Sequence, residues 1–253
     1  MADASARLVT LTRAGFATRG VLYLVIAIFV LTTGRAEDPA GALQYLGEGG
    51  GRIFLLLMAA GLVGYGLWRL SDGLFNIEGH SKDRSGVASR LGAAVSGIIH
   101  LLLAWQAIKF SRGADAASDS APQENAQSML TMPGGGVMLI VVGLVLLAVG
   151  AFQISKAIKA SYLEHLEPKI AKEPWVKWSG RFGYAARGVI FIITSFFFVS
   201  AGLSEQASEA GGMAEALRWL TSPWDMIVAA GLLAFGFFSL IEARYRIIQR
   251  VPL

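Results

Sequence analysis

Long stretches of this chain are apolar at nearly every position, and they persist for the ~20 residues that a bilayer core of ~30 Å demands of a helix. Six such runs occur, at 14–34, 53–75, 90–111, 136–157, 181–203 and 224–243. The purest are Gly20–Leu31 and Val137–Ala151, neither of which contains a charge. No period of two persists over such lengths, so a β-barrel is disfavoured. Six buried helices of a soluble bundle would leave too little polar sequence to cover them. The pattern therefore predicts an all-α membrane protein with six transmembrane helices.

The first run is read as an uncleaved membrane helix. It is too long for a secretory signal, Arg13 and Arg19 flank or enter it, and no small-residue cleavage site follows at Thr32–Gly34. Orientation follows from the cationic residues. Of the 22 Lys and Arg, 17 fall in or beside the N-terminus, the second and fourth loops and the C-terminus, and 5 on the other side (Arg35, Arg52, Lys109, Arg112 and Arg218). The opposite loops carry acids: Glu37, Asp38, Asp115, Asp119, Glu124, Glu205 and Glu209. Both termini are expected in the cytoplasm.

The runs also repeat. Odd-numbered helices open alike, with RAGFATRGVLY from Arg13, RLGAAVSGIIH from Arg90 and RFGYAARGVIF from Arg181. Even-numbered helices close alike, with GYGLWRLSD to Asp72, AVGAFQISK to Lys156 and AFGFFSLIE to Glu242. A short A-[LQ]-x-x-L segment precedes each even helix, at Ala42–Leu46, Ala126–Leu130 and Ala216–Leu220. Three parallel helical-hairpin repeats are expected at 13–76, 90–158 and 181–243, about an axis along the membrane normal. Cytoplasmic linkers fall at 77–89 and 159–180, and cytoplasmic tails at 1–12 and 244–253.

Composition sharpens this picture. Apolar residues make up 54% of the chain, 30 glycines raise that further, and only 16% is charged, against ~25% in ordinary soluble domains. That excludes disorder and argues against a water-soluble enzyme. With no cysteine there are no disulfides, thiolate metal sites, iron–sulfur clusters or cysteine nucleophiles. The net charge of +4 does not signal nucleic acid, because Lys and Arg punctuate apolar runs instead of gathering on one solvated face.

The tandem frame at Arg13–Tyr23 and Arg181–Phe191, the Gly61–Arg69 stretch and the A-L-x-x-L segments resemble a bacterial membrane family catalogued as domain of unknown function 1206, which carries three tandem two-helix copies. The likeness runs from residue 13 to about 243. The middle copy departs most, with Ser96 for the second Arg and His100 for the aromatic. The resemblance implies this topology and a bacterial inner-membrane setting, and brings no activity.

Candidate chemistry is sparse. Arg19 and Arg187 lie ~9 Å inside their helices, by ~1.5 Å per residue, where a charge is costly unless paired or snorkelling. Copies one and three have Arg together with an acid (Asp72, Glu242), whereas copy two has Ser96 and Lys156. This joint presence suggests structural ion pairs within hairpins, Arg19–Asp72 and Arg187–Glu242, near the cytoplasmic interface; the alternative is that Arg19 snorkels and Asp72 sits at the water boundary. Lys156 would face Asp72 or Glu242 of a neighbouring copy.

His100 is the one histidine within a run. It reads either as a neutral packed side chain with one hydrogen bond, or as a proton relay or haem axial ligand. Gln106 does not share its helix face. Small residues three apart (Ala17/Gly20, Ala94/Gly97, Ala185/Gly188), with Gly61, Gly64 and Gly66, suit close helix packing. Gly49–Gly51 and Gly134–Gly136 lack a P-loop Lys-Ser/Thr and read as outer turns. Trp105, Trp175, Trp178, Trp219 and Trp224 are placed as an aromatic belt. The Tyr162–Lys177 loop reads as a solvated connector, or as a contact for a partner or lipid headgroups.

No catalytic set, metal site or cofactor motif emerges. Two functional classes remain ahead of an enzyme. One is a structural or binding module packing against membrane lipids or a membrane protein. The other is a conduit for a small solute or proton between the hairpins, for which His100, Gln106, Gln153, Thr194 and Ser195 are the only scattered polar candidates.

Overall fold

A computed structural model describes residues 2–34, 36, 39–113 and 121–248. Arg35, Glu37, Asp38, Asp115, Asp119 and Arg250, which enter the charge balance, lie outside the described residues. The described residues form helices α1 (Ala2–Thr33), α2 (Pro39–Phe75), α3 (Arg84–Ser111), α4 (Ala121–Leu130), α5 (Gly135–Lys159), α6 (Pro168–Ala171), α7 (Pro174–Ser204), α8 (Met213–Trp219) and α9 (Trp224–Tyr245). Six stretches are long and apolar enough to cross a membrane, and they match the six expected runs. The fifth starts seven residues early because Pro174, at the first helical position, launches α7. The stretch ahead of the first span is a continuation of α1.

Each A-[LQ]-x-x-L segment is helical and docks its small and leucine positions inward. Ala42 and Leu43 are fully buried, as are Ala126 and Ala216. In the first copy this segment fuses with the span, and the join is Gly51, whose φ of +70° bends the chain where a side chain would be strained.

The spans form a cyclic arrangement. Each odd helix packs on the even helix of the preceding copy: α3 on α2, α7 on α5, and α1 back on α9. One glycine from each helix makes the closest approach. Gly97 lies against the Gly66 carbonyl, Gly188 against that of Gly150, and Gly20 against that of Gly236, so that an added Cβ would meet those oxygens at 2.8, 3.0 and 2.9 Å. The first residue of each odd frame serves the same seams. Arg90 donates to the carbonyls of Gly73 (3.1 Å) and Leu74 (2.9 Å), Arg181 to that of Ile158 (3.2 Å), and Arg13 to those of Ala243 (3.0 Å) and Arg244. Three arginines thus cap the C-termini of three neighbouring helices, where unpaired carbonyls and the dipole favour a cation.

Within a copy the pattern is uneven. In copies one and three the two spans also pack on each other, α1 on α2 and α7 on α9. A Cβ on Gly15 would meet Tyr65 Cβ at 2.3 Å, and one on Gly183 would meet Phe235 Cα at 2.6 Å. The counterpart in copy two, Gly92, has nothing within 4 Å. Among the described residues α3 and α5 share no such packing. The reason is legible in the side chains: Gly61 and Gly231, which admit the partner helix in copies one and three, correspond to Val145, and the bulky Phe16 and Tyr184 correspond to Ala93. The ring therefore has one open seam. Its walls, Gly86–Ser111 and Gly135–Lys159, are only 28% and 22% buried, against 56% for Thr12–Thr33.

The Tyr162–Lys177 segment is not a solvated connector. Tyr162 is 1% exposed, stacks on Tyr184 (5.0 Å, 14°), meets Phe238 edge-on (5.0 Å) and donates to the Lys177 carbonyl (2.5 Å). Burial pushes its phenol up to about 12. Leu166 is buried too, and His165 and Glu167 exchange backbone hydrogen bonds with Ile247 and Tyr245, tying down the end of α9. Mixed charge concealed the two apolar anchors.

The five tryptophans of the expected belt are all exposed, whereas Trp68 is buried beside Phe16 and Tyr65.

Candidate functional site

Polar side chains converge at the basic end of the ring, where α2, α5 and α9 finish. Arg19 reaches down from α1 through an aromatic collar, its guanidinium 4.8 Å from the Phe16 ring, 5.0 Å from Tyr65 and 5.0 Å from Phe235. It donates Nε–H to Ser239 Oγ (3.1 Å), Nη1–H to Tyr65 Oη (2.5 Å) and Nη2–H to Glu242 Oε2. Glu242 also accepts from Arg246 Nη1 (2.5 Å), one turn on along the same chain, and Arg246 Nη2 donates to Glu78 Oε1. Arg69 Nη1 lies 3.8 Å from Glu78 Oε2 and 3.5 Å from Asp72 Oδ2. Asp72 holds the turn that follows α2, accepting from the Glu78 N–H (2.9 Å) and lying 3.0 Å from His80 Nε2. One network thus links copies one and three.

Electrostatics follow from burial and neighbours. Burial opposes ionisation of Glu78, but Arg246, His165 and Arg69 outweigh it and hold the carboxyl down at about 2. Burial disfavours the Arg246 cation, yet Glu78 and Glu242 raise its pKa above the ordinary value. Burial, with Arg246 adding to it, holds His165 down at about 4.

The predicted pairings do not form as expected. Arg19 meets Glu242 and not Asp72, and Arg187 meets no carboxylate among the described residues. The copies associate cyclically, so each even-helix terminal residue faces the next copy's odd helix: Glu242 faces Arg19, Asp72 faces the helix of Ser96, and Lys156 that of Arg187. Arg187 lies over the rings of Phe235 (4.4 Å), Tyr23 (5.2 Å) and Phe191 (5.4 Å), and its Nε has no hydrogen-bond partner. Lys156 sits 4.8 Å from the Phe152 ring and 5.8 Å from that of Tyr184, without an ion pair among the described residues. His100 is buried, with Nδ1 2.7 Å from the Ser96 carbonyl and its ring 4.5 Å from Tyr65.

Sequence reasoning missed Glu78, His80, Arg69, Ser239 and Arg246. One signal was available: the residue three before each terminal frame position is polar in every copy (Arg69, Gln153, Ser239). Ligand atoms of Asp72, Glu78 and His80 lie within 4.8 Å of one another, a spacing compatible with a divalent cation. Arg69 and Arg246 already neutralise these carboxylates, so the donor set is that of a salt-bridge network. An open cleft at the opposite end, lined by Gln123, Phe197, Glu209 and Glu215, has both carboxylates engaged: Glu209 accepts from Ser200, and Glu215 from the Gly212 N–H (2.8 Å) and Arg218 (2.5 Å).

Fold and network together define a multi-pass α-helical membrane protein built from a thrice-repeated two-span unit. Segments 14–76, 91–160 and 182–246 match the family described as Domain of Unknown Function (DUF1206), and the chain belongs to that family. It is also similar to the uncharacterized protein YxxB of Bacillus subtilis (strain 168), with 25% identity over 92% of this chain and 90% of the relative. No solved structure matches.

Proposed function

We propose that the protein is a binding module of the bacterial inner membrane, with both termini cytoplasmic, whose partner docks on the open seam between α3 and α5. The carrying observation is that seam: a ring closed at its other five helix–helix contacts leaves one unclosed, with Leu91, Ile98, Leu102, Val141 and Val145 exposed along its two helices. The cation balance supports the cytoplasmic placement of the termini.

The conduit reading has less support. Ring and aliphatic side chains fill the core away from the basic end: Leu22, Ile26, Leu55, Leu62 and Leu232 are all at most 4% exposed. A polar path would need groups there to replace water. A photo-cross-linking residue in place of Val145 should capture a membrane component in cells, while one in place of Ile53, on α2 outside the seam, should not. Solute or proton flux in proteoliposomes, abolished by His100→Ala, would overturn the module in favour of the conduit.

A further inference from the structure

The interior of the basic end carries more cation than anion. Five cations, Arg19, Arg69, Lys156, Arg187 and Arg246, meet three carboxylates, Asp72, Glu78 and Glu242. The carboxylates are all committed: Glu242 to Arg19 and Arg246, Glu78 to Arg246 and Arg69, Asp72 to Arg69 and His80. Lys156 and Arg187 lie against aromatic faces and form no ion pair among the described residues; Glu78 and Glu242 act on Lys156 only at longer range, and Arg69 and Arg246 oppose them. A cation so placed in a membrane protein is costly unless something neutralises it.

Position identifies what does. Asp72 and Glu242 are 0% and 1% exposed, whereas Lys156, at the same place in copy two, is only half-buried. Its Nζ rests on Phe152 and on Tyr184 of α7, while α3, the other span of its own copy, does not pack against α5. Lys156 lies one turn from the end of α5, ~5 Å inside its last residue by ~1.5 Å rise per residue, which is headgroup depth. Below the charge runs an apolar seam one span long between the two helices, with open space over Gly92. A cation at the phosphate level above a lipid-length apolar seam is complementary to one class of molecule.

We propose that the seam between α3 and α5 binds an anionic glycerophospholipid, its phosphate on Lys156 and an acyl chain along Gly92 and Val145. This rests on the binding-module reading and names its ligand. The Arg–acid pair of the α1·α9 seam has no equivalent at the two seams of copy two: Ser96 stands in place of the arginine on the helix that Asp72 faces, and Lys156 stands in place of the acid on the helix that packs against that of Arg187, a charge that the lipid completes.

The test uses the full chain in mild detergent, with phosphatidylglycerol and phosphatidylcholine offered together and bound lipid read by native mass spectrometry. About one phosphatidylglycerol should be retained per chain, at roughly tenfold preference over phosphatidylcholine. Lys156→Glu should bring that preference to near parity. Its unfolding temperature should not fall, because Glu at 156 gives Arg187 the counter-charge that Glu242 gives Arg19. Lys156→Met, which removes the charge and adds none, should also abolish the preference. Equal retention of the two lipids by the native chain, or an undiminished preference in both variants, would overturn the proposal. The Val145 cross-linker separates the two ideas. Capture of a protein there without lipid preference sinks the lipid and keeps the module; capture of nothing sinks both.

Discussion

Arg19 and Glu242 are 223 residues apart in the chain and form a buried ion pair that joins the first repeat to the last. Their contact closes the ring at the α1·α9 seam, beside the Gly20–Gly236 approach. Burying two charges brings little net stability by itself, because desolvation offsets attraction; breaking such a pair is what costs.

Glu242→Gln should therefore destabilise the protein by about 3–5 kcal/mol, since it strands Arg19 and weakens the hold on Arg246. A double-mutant cycle between Arg19→Met and Glu242→Gln, followed by unfolding in detergent, should give a coupling energy above ~1 kcal/mol. The same cycle between Arg19→Met and Asp72→Asn should give nearly none. A reversed ranking would restore the within-hairpin pairing.

The arginine that opens each odd frame is explained by the carbonyls it caps. Arg13→Met, Arg90→Met and Arg181→Met should each lower stability by about 1–2 kcal/mol, the range of charge-assisted contacts at helix C-termini. The three sites share no partners, so their effects should add. Thermal unfolding of the singles and the triple variant checks this. A triple variant no worse than one single would show that the caps act as a unit.

Spans and repeats were legible because each rests on local sequence: unbroken apolarity for a span, recurrence of Arg-x-Gly for a copy. The partner of Arg19 was not. Reading inward from sequence assumes that a hairpin pairs with itself, and the ring instead pairs each copy with the next, a choice made by the packing of Gly20, Gly97 and Gly188. The same shift separates the two changes in copy two: Ser96 lies on the helix that packs against that of Asp72, and Lys156 on the helix that packs against that of Arg187. Glu78 and Arg246 escaped notice because both lie outside the apolar runs, and only the fold brings them together.

Acid should destabilise the protein in two windows. His165, held near 4 in the folded state against 6.5 for a free imidazole, is protonated more readily when unfolded. Its contribution is complete above about 6.5 and is lost as pH falls towards 4. Glu78, held near 2 against 4.5, contributes fully above 4.5 and loses that contribution as pH falls towards 2. Unfolding temperatures measured from pH 7 to 3 should decline across both ranges. His165→Phe should flatten the upper decline and leave the lower one; a variant with an unchanged upper slope would exclude His165 as its source.

The glycines at the same position in the three copies make the open seam measurable without any ligand. Gly15→Ala and Gly183→Ala each push a methyl into the partner helix, at 2.3 and 2.6 Å, and overpacking of that kind costs about 1–3 kcal/mol. Gly92→Ala meets nothing within 4 Å and removes backbone freedom from the unfolded chain, so it should stabilise by roughly 0.5–1 kcal/mol. Opposite signs at symmetry-related positions follow only if α3 and α5 stand apart. A loss of stability in Gly92→Ala as large as in Gly15→Ala would mean that the second hairpin closes like the other two.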